Sequence, residues 1–204
     1  MSSAYPVPWW SVVSATLAPI ALIGGWTIAA SVQPEGFDST SETISALAAV
    51  GTPDRWIMTA AIAITGVCHM ITAAGLQEAA RPGRVMYALA GLATVLVAIF
   101  PLPSSNGSGV AHGVTAAASF IGLALWPVLA RNVRAQNPTL RGCVPLLATI
   151  LLSLLVLAFF VASTIGAGGV GLLERVAAGA EELWPLVVVA TGIGRQRLST
   201  AMTR

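Results

Sequence analysis

Three acidic residues and one arginine lie in an otherwise apolar stretch near the C-terminus, GLLERVAAGAEELWPLVVVATG, residues 171–192. The acids are Glu174, Glu181 and Glu182, and the arginine is Arg175. Carboxylates can exchange protons, hold cations or pair with arginine, and inside a membrane they are costly unless they serve such a role. Glu174 and Glu181 are seven residues apart, as are Arg175 and Glu182. Because this spacing returns to nearly the same side of a helix, it predicts a polar stripe.

The composition is that of an integral membrane protein. Of the 204 residues, 56% are hydrophobic and 9% are charged, and the mean hydropathy is +0.83. A soluble domain carries about 25% charged residues. The net charge of +2, spread along the chain, gives no reason to expect a nucleic-acid partner. Cys68 and Cys143 lie in or beside apolar segments, which indicates free thiols rather than a disulfide framework.

Six apolar stretches are long enough to cross a bilayer, which takes about 20 residues. They cover residues 9–32, 55–76, 85–102, 109–130, 142–161 and 171–193. The links between most of them are short, as between antiparallel neighbours. We therefore predict an all-α fold, a single transmembrane domain over residues 1–204 formed by a six-helix bundle.

The arginines predict how the bundle is oriented. Eight of the ten lie in the second link, the fourth link and the C-terminal tail: Arg81, Arg84, Arg131, Arg134, Arg141, Arg195, Arg197 and Arg204. By the positive-inside rule, these segments and both termini are cytoplasmic. The absence of lysine, together with abundant Ala, Gly and Val, is typical of a high-GC bacterial genome. We expect a multi-pass protein of the bacterial inner membrane.

The first link, residues 33–54, then faces outward and has a helical pattern of its own. Ser39 precedes Glu42 by three residues, the spacing of a capping box, and Gly51 and Pro53 supply a stop. Apolar residues follow at helical spacing: Ile44, Leu47 and Ala48. The pattern predicts a short amphipathic helix on or in the outer membrane surface; a solvated loop is the alternative.

The acids of the last segment are predicted to lie deep in the membrane. At about 1.5 Å per residue, Glu181 and Glu182 lie about 15 Å below Gly171. Pro185 removes the N–H that would bond the carbonyl of Glu181, so we expect a weak point in the helix beside the acids. Broken helices at such depths form binding sites in many transporters. The alternative is that the outer third of this helix stands above the bilayer.

Other polar residues are predicted to reach the same outward level. The candidate ligand-binding set is Glu42, Ser45, Asp54, Arg55, His112, Glu174, Arg175, Glu181 and Glu182. Arg55 and Arg175 are the cations that could meet an anionic head group or the nearby acids. A structural salt-bridge network explains the same residues as well as a binding site does.

The two histidines do not predict a haem site. His69 lies about 20 Å below the outer face and His112 only about one turn below it, so they cannot share one iron. No paired-histidine zinc motif is present. We therefore expect no cofactor and no metal.

Three stretches resemble the signatures of the membrane proteins catalogued as Domain of Unknown Function 998. They are SETISALAAVGTPDRW, FPLPSSNGSGVAHG and GLLERVAAGAEELW, in the order that the family has them. The resemblance covers nearly the whole chain and implies a role for six residues: Ser45, Phe100, Pro101, His112, Glu174 and Arg175. The family name implies a polytopic membrane protein and no particular activity.

Three functions fit these observations. The favoured one is a non-enzymatic protein that binds a membrane lipid or other amphiphile in the outward cavity, in a transport or envelope role. The second is an intramembrane lipid-modifying enzyme in which His112 and a carboxylate, Glu181, act as acid and base. The third is an accessory subunit with a membrane-protein partner, in which the polar stripe serves assembly.

Overall fold

The computed structural model describes residues 6–202, without the side chains of residues 197, 199, 200 and 202. Arg204 and the side chain of Arg197 lie outside this part. The described residues form six long helices, a short helix and one 3-10 turn, and no strand. In order these are α1 (Trp9–Ser31), α2 (Ile44–Leu47), α3 (Trp56–Gly75), α4 (Arg81–Ile99), α5 (Val110–Leu129), the turn Pro138–Leu140, α6 (Val144–Ile165) and α7 (Val170–Met202).

The six long helices form a ring in the order of the chain. Each one packs against the next, and α7 packs back against α1. All six are long and apolar enough to cross a membrane, and large apolar side chains such as Val114 and Leu154 are exposed on their outer faces. The predicted six-helix transmembrane bundle is therefore confirmed.

The connections gather at two ends of the ring. We call the end with residues 32–55, 100–109 and 166–169 the loop end, and the end with residues 76–80 and 130–143 the terminal end. Backbone hydrogen bonds join separate links at each end. At the loop end the Val50 N–H donates to the Leu102 carbonyl at 2.9 Å, and at the terminal end the Ala80 N–H donates to the Ala130 carbonyl at 3.0 Å.

A small polar network closes the terminal end. The Glu78 carboxylate accepts the Asn137 N–H at 3.1 Å, and the Glu78 carbonyl accepts the Asn132 side-chain amide at 2.7 Å. The Asn137 side chain then donates to the Val188 carbonyl on α7 at 2.8 Å. These bonds fix the fourth link against the part of α7 that lies near the terminal end.

Most helix boundaries lie within a few residues of the predicted ones. Helix α4 begins earlier than predicted, at Arg81, because Pro82 fits the first turn of a helix, where an N–H is not needed. Helix α6 extends to Ile165 and ends at Gly166, whose φ of 65° is the left-handed conformation that glycine adopts readily.

Helix α7 is continuous through Pro185 and extends well beyond the predicted end. The expected weak point therefore does not break the helix. The acids lie on an intact helix, and no broken-helix site of the transporter kind is formed there.

Two glycines bring α3 and α4 into close contact beside the acids. A Cβ added at Gly66 would lie 2.5 Å from the Gly91 carbonyl oxygen, and one at Gly91 would lie 2.7 Å from the Gly66 carbonyl oxygen. Only residues without a Cβ allow the two backbones this close. The contact fixes the part of α3 that carries His69.

Helix α2 is packed into the loop end of the bundle and does not lie on its surface. Ile44 and Leu47 are buried among core residues that include Leu22 and Met58. The short helix predicted in the first link is therefore present, with its apolar residues facing the bundle, and the solvated-loop alternative is wrong. The four-residue helix is too short to be stable alone, so this tertiary packing must hold it.

The predicted capping box at Ser39 and Glu42 is also wrong. Thr43 caps α2, because its side-chain oxygen accepts the Ala46 N–H at 3.1 Å. Glu42 instead reaches back to the Asp38 N–H, at 3.4 Å. Hydrogen bonds from the Thr40 side chain and backbone lower the pKa of Asp38 to about 2 and fix the turn before α2.

Cysteine labelling tests the orientation that the arginines predict. Asn106 is exposed at the loop end and Arg134 at the terminal end. In a background in which Cys68 and Cys143 are replaced by serine, Asn106→Cys should react with a membrane-impermeant thiol reagent in intact cells. Arg134→Cys should react only after the membrane is permeabilised. The reverse pattern would show that the termini are outside.

Candidate functional site

Glu174 joins the first turns of α7 to the start of α2. Its carboxylate accepts hydrogen bonds from the Ile44 N–H and, at 3.2 Å, from the Ser45 hydroxyl. The side chain is 3% exposed. A carboxylate at a helix N-terminus satisfies free N–H groups and interacts favourably with the helix dipole. Glu174 thus holds α2 in place from another helix.

Arg175 holds the segment that precedes α2. Its Nη1 donates to the carbonyls of Ser39 and Glu42, both at 2.7 Å, and to the Gly171 carbonyl at 3.0 Å. The Leu172 N–H also donates to the loop, to the Thr40 carbonyl at 2.9 Å. We call these bonds, together with those of Glu174, the loop clamp.

The hydrogen-bond partners of Arg175 differ from the expected ones. The sequence pointed to the nearby acids or to an anionic head group. In the structure Arg175 donates to backbone carbonyls. The sequence does not indicate which carbonyls these are. Its donors at Nη1 are occupied by the protein itself.

Glu182 pairs with a histidine from α3. Glu182 Oε2 and His69 Nε2 are 3.0 Å apart, and the two side chains are 3% and 0% exposed. A buried carboxylate next to a histidine can share or exchange a proton, and the charges that result compensate each other. The pair lies deep between α7 and α3.

His69 is a residue of the site that the sequence analysis did not select. The signal was available, because His69 lies about 20 Å below the loop end along α3 and Glu182 about 16 Å below it along α7. The two depths are similar, but the histidines were compared only with each other, as possible haem ligands.

Glu181 has no partner. Its side chain is 1% exposed, and neither carboxylate oxygen has a hydrogen bond within the described residues. All three acids are buried within the bundle and are not exposed to water. Burying an ionised carboxylate without a partner costs several kcal/mol. Among the three acids of α7, Glu181 is therefore the one without a hydrogen-bond partner.

Glu181 lies in a narrow cavity with a volume of about 60 Å³. This is room for a few water molecules or a small head group. The walls are mostly apolar, with Leu22, Ile62 and Leu123 among them. The polar lining consists of Ser45, Thr94, Ser119, Glu174, Glu181 and Glu182. We call this space the inner cavity.

A wider, open space of about 670 Å³ lies between the inner cavity and the loop end. We call it the vestibule. Four residues line both spaces: Ser45, Ala116, Phe120 and Glu174. The inner cavity and the vestibule are therefore neighbours, and these residues form the neck between them.

The predicted ligand-binding residues divide into four groups. Glu42 and His112 line the vestibule, Ser45 and Glu174 line the neck, and Glu181 and Glu182 line the inner cavity. Asp54, Arg55 and Arg175 line neither space. The set therefore does not converge in one cavity.

The last group has local structural partners. Asp54 is exposed and accepts the Trp56 indole N–H at 3.2 Å. Arg55 Nε donates to the Ala48 carbonyl at 3.1 Å, at the end of α2. Both cations that the sequence offered to an anionic ligand, Arg55 and Arg175, thus bind backbone carbonyls.

His112 donates from Nδ1 to the Phe100 carbonyl at 2.9 Å. The bond fixes the third link, which contains Pro101, to the first turn of α5 and leaves the other ring nitrogen as an acceptor if the ring is neutral. No group of three His, Cys, Asp or Glu side chains in the described part of the chain is arranged to hold a metal ion.

These features define a class: a polytopic membrane protein with an acid-lined cavity that is reached from one end of the bundle. The chain belongs to a family described as "Protein of unknown function (DUF998)", whose model matches residues 16–191. Because the match covers most of the chain, the suspected family is confirmed. The matched residues include the loop clamp and both spaces. No curated protein and no solved structure matches the chain.

The glycines of α7 give a matched test of the loop clamp. A Cβ at Gly171 would meet the backbone carbonyl of Glu42 and lie 2.8 Å from the Ser39 carbonyl oxygen, whereas one at Gly179 would make only an ordinary contact with Trp26. We expect Gly171→Ala to destabilise the protein by about 1–3 kcal/mol. Gly179→Ala should be neutral or stabilising by up to about 1 kcal/mol. Thermal unfolding in one detergent measures both; equal melting temperatures would contradict the close contact.

Removal of the arginine tests the clamp by a different route. Arg175→Ala leaves the carbonyls of Ser39 and Glu42 without their donor, and hydrogen bonds to charged groups contribute about 1.5–3 kcal/mol. We expect a lower melting temperature and faster proteolysis of the loop before α2. Arg134→Ala is the control, because Arg134 is exposed at the opposite end. If both variants unfold with the wild type, the clamp does not stabilise the loop.

Proposed function

We propose that the protein binds a membrane lipid or another amphiphilic small molecule, with its head group in the inner cavity and its chain in the vestibule. The observation that carries this proposal is the juxtaposition of the two spaces. A small cavity that contains three acids adjoins, through the neck, a wider space with aromatic residues on its wall. An amphiphile has the same division into a polar and an apolar part.

The vestibule suits an apolar chain. Phe120, Phe159 and Phe160 lie together on its wall, with ring centroids 5.2 to 5.9 Å apart. Such clusters offer a large apolar surface with little conformational freedom. The space lies between α5 and α6, two helices with exposed apolar faces, which supports entry of a ligand from the lipid phase.

The orientation of the bundle is part of this proposal. The arginine-rich terminal end faces the cytoplasm, and the loop end with its vestibule faces outward, in the inner membrane of a bacterium. A ligand would then be taken up from the outer half of the bilayer, in an envelope or transport role.

The two other functions have less support. An enzyme that uses His112 would need a carboxylate within reach of it, and the hydrogen bond of His112 is to the Phe100 carbonyl. An assembly surface would need polar groups on the outside of the bundle. Glu174, Glu181 and Glu182 are all directed inward and are 3%, 1% and 3% exposed.

A bulky side chain at the neck tests the binding proposal. Ala116 lines the neck, and Ala118, two residues along the same helix, is exposed. We expect Ala116→Trp to exclude the ligand and Ala118→Trp to leave binding unchanged. Native mass spectrometry of protein purified in a mild detergent measures the amphiphile that is retained. The proposal fails if the wild type retains none, or if the Ala116→Trp variant retains as much as the control.

A further inference from the structure

The acids of the inner cavity are not equivalent, and one of them has no hydrogen-bond partner. Glu174 has two hydrogen-bond donors from α2, and Glu182 has His69. Glu181 is buried to the same degree and has no partner. An unpartnered acid that lines a cavity is a common mark of a ligand-binding position, because the ligand can supply the missing partner.

The lining of the inner cavity contains no cationic side chain. Its ionisable residues are Glu174, Glu181 and Glu182. Arg175 belongs to the same helix, but its Nη1 donors bind the carbonyls of the loop clamp. An anionic head group would therefore meet no cation in the lining to offset its repulsion by an ionised Glu181, whereas a cation would be attracted to this carboxylate at low dielectric.

The hydroxyl groups of the cavity are also arranged as acceptors. Thr94 donates its hydroxyl hydrogen to the Ala90 carbonyl at 2.9 Å. The bond of 2.7 Å between Thr94 and Ser119 must then take its hydrogen from Ser119. Ser45 in turn donates to Glu174. Each hydroxyl has used its single donor, so only lone pairs remain for a ligand.

On these grounds we infer that the ligand carries an ammonium head group, with Glu181 as its counter-ion and Ser119 as a further hydrogen-bond acceptor. A primary ammonium group has three donors and no acceptor, which complements a cavity that offers only acceptors. Phe120 at the neck adds an aromatic ring that a cation can contact. This inference rests on the proposed function, since it names the chemistry of the ligand for the same site.

The test compares head groups on one alkyl chain. The full-length protein in nanodiscs is titrated with dodecylamine, dodecyltrimethylammonium, dodecanol and dodecyl phosphate, and binding is followed by tryptophan fluorescence. Dodecylamine should bind about tenfold or more tightly than dodecanol. Dodecyltrimethylammonium has the charge without N–H donors and should bind more weakly than dodecylamine. Dodecyl phosphate should bind most weakly.

Two variants identify the counter-ion. Glu181→Gln should weaken dodecylamine about tenfold or more and leave dodecanol nearly unchanged. The control is Glu35→Gln, which removes an exposed acid outside both spaces and should bind as the wild type does. Ser119→Ala should weaken dodecylamine by a smaller factor. This variant still tests the ammonium site if Glu181→Gln does not fold.

The outcomes separate this inference from the proposed function. If dodecanol or dodecyl phosphate binds as tightly as dodecylamine, or if Glu181→Gln changes nothing, the ammonium assignment is wrong and amphiphile binding stands. If butylamine, which has no long chain, binds as tightly as dodecylamine, the cation site stands and the amphiphile proposal fails. If no probe binds, both are wrong.

Discussion

The carboxylate of Glu174 is the interaction on which the loop end depends. It holds the start of α2 through the Ile44 N–H and the Ser45 hydroxyl, and Arg175 beside it holds the preceding segment. Ile44 and Ser45 are also walls of the inner cavity. One charged group therefore anchors the short helix, closes the end of the bundle and shapes the cavity that we assign to the ligand.

Burial of three acids in one transmembrane helix is a large energetic burden, and the protein compensates it unevenly. Glu174 is satisfied by donors, and Glu182 by a histidine. The helix itself remains intact through Pro185, so its backbone hydrogen bonds are largely kept. The uncompensated part is concentrated at Glu181, inside a cavity. This uneven distribution is the reason why we propose a ligand site and not a purely structural network, in which every acid would have a protein partner.

The fold was predictable from the sequence because long apolar stretches with few charged residues are a local signal. The inward direction of Glu181 and Glu182 followed from the cost of exposing acids to lipid. The burial of α2 was not predictable, because four residues carry too little periodicity to show which side faces the core. The partners of Arg175 were missed for another reason. Every residue has a backbone carbonyl, so no residue type in the sequence indicates which carbonyls accept a hydrogen bond from Arg175. His69 could have been assigned to Glu182 by depth alone.

The loop clamp also has a consequence for biosynthesis. Ile44 and Glu174 are separated by 130 positions in the chain, and Ser39 and Arg175 by 136. The first link therefore leaves the ribosome long before the α7 residues of the loop clamp, and it lacks these bonds while four further helices are inserted into the membrane. Only the arrival of the last helix completes the clamp. A nascent chain that stops after α6 would lack the wall that α7 gives to the inner cavity, and its first link would have none of the hydrogen bonds of the clamp.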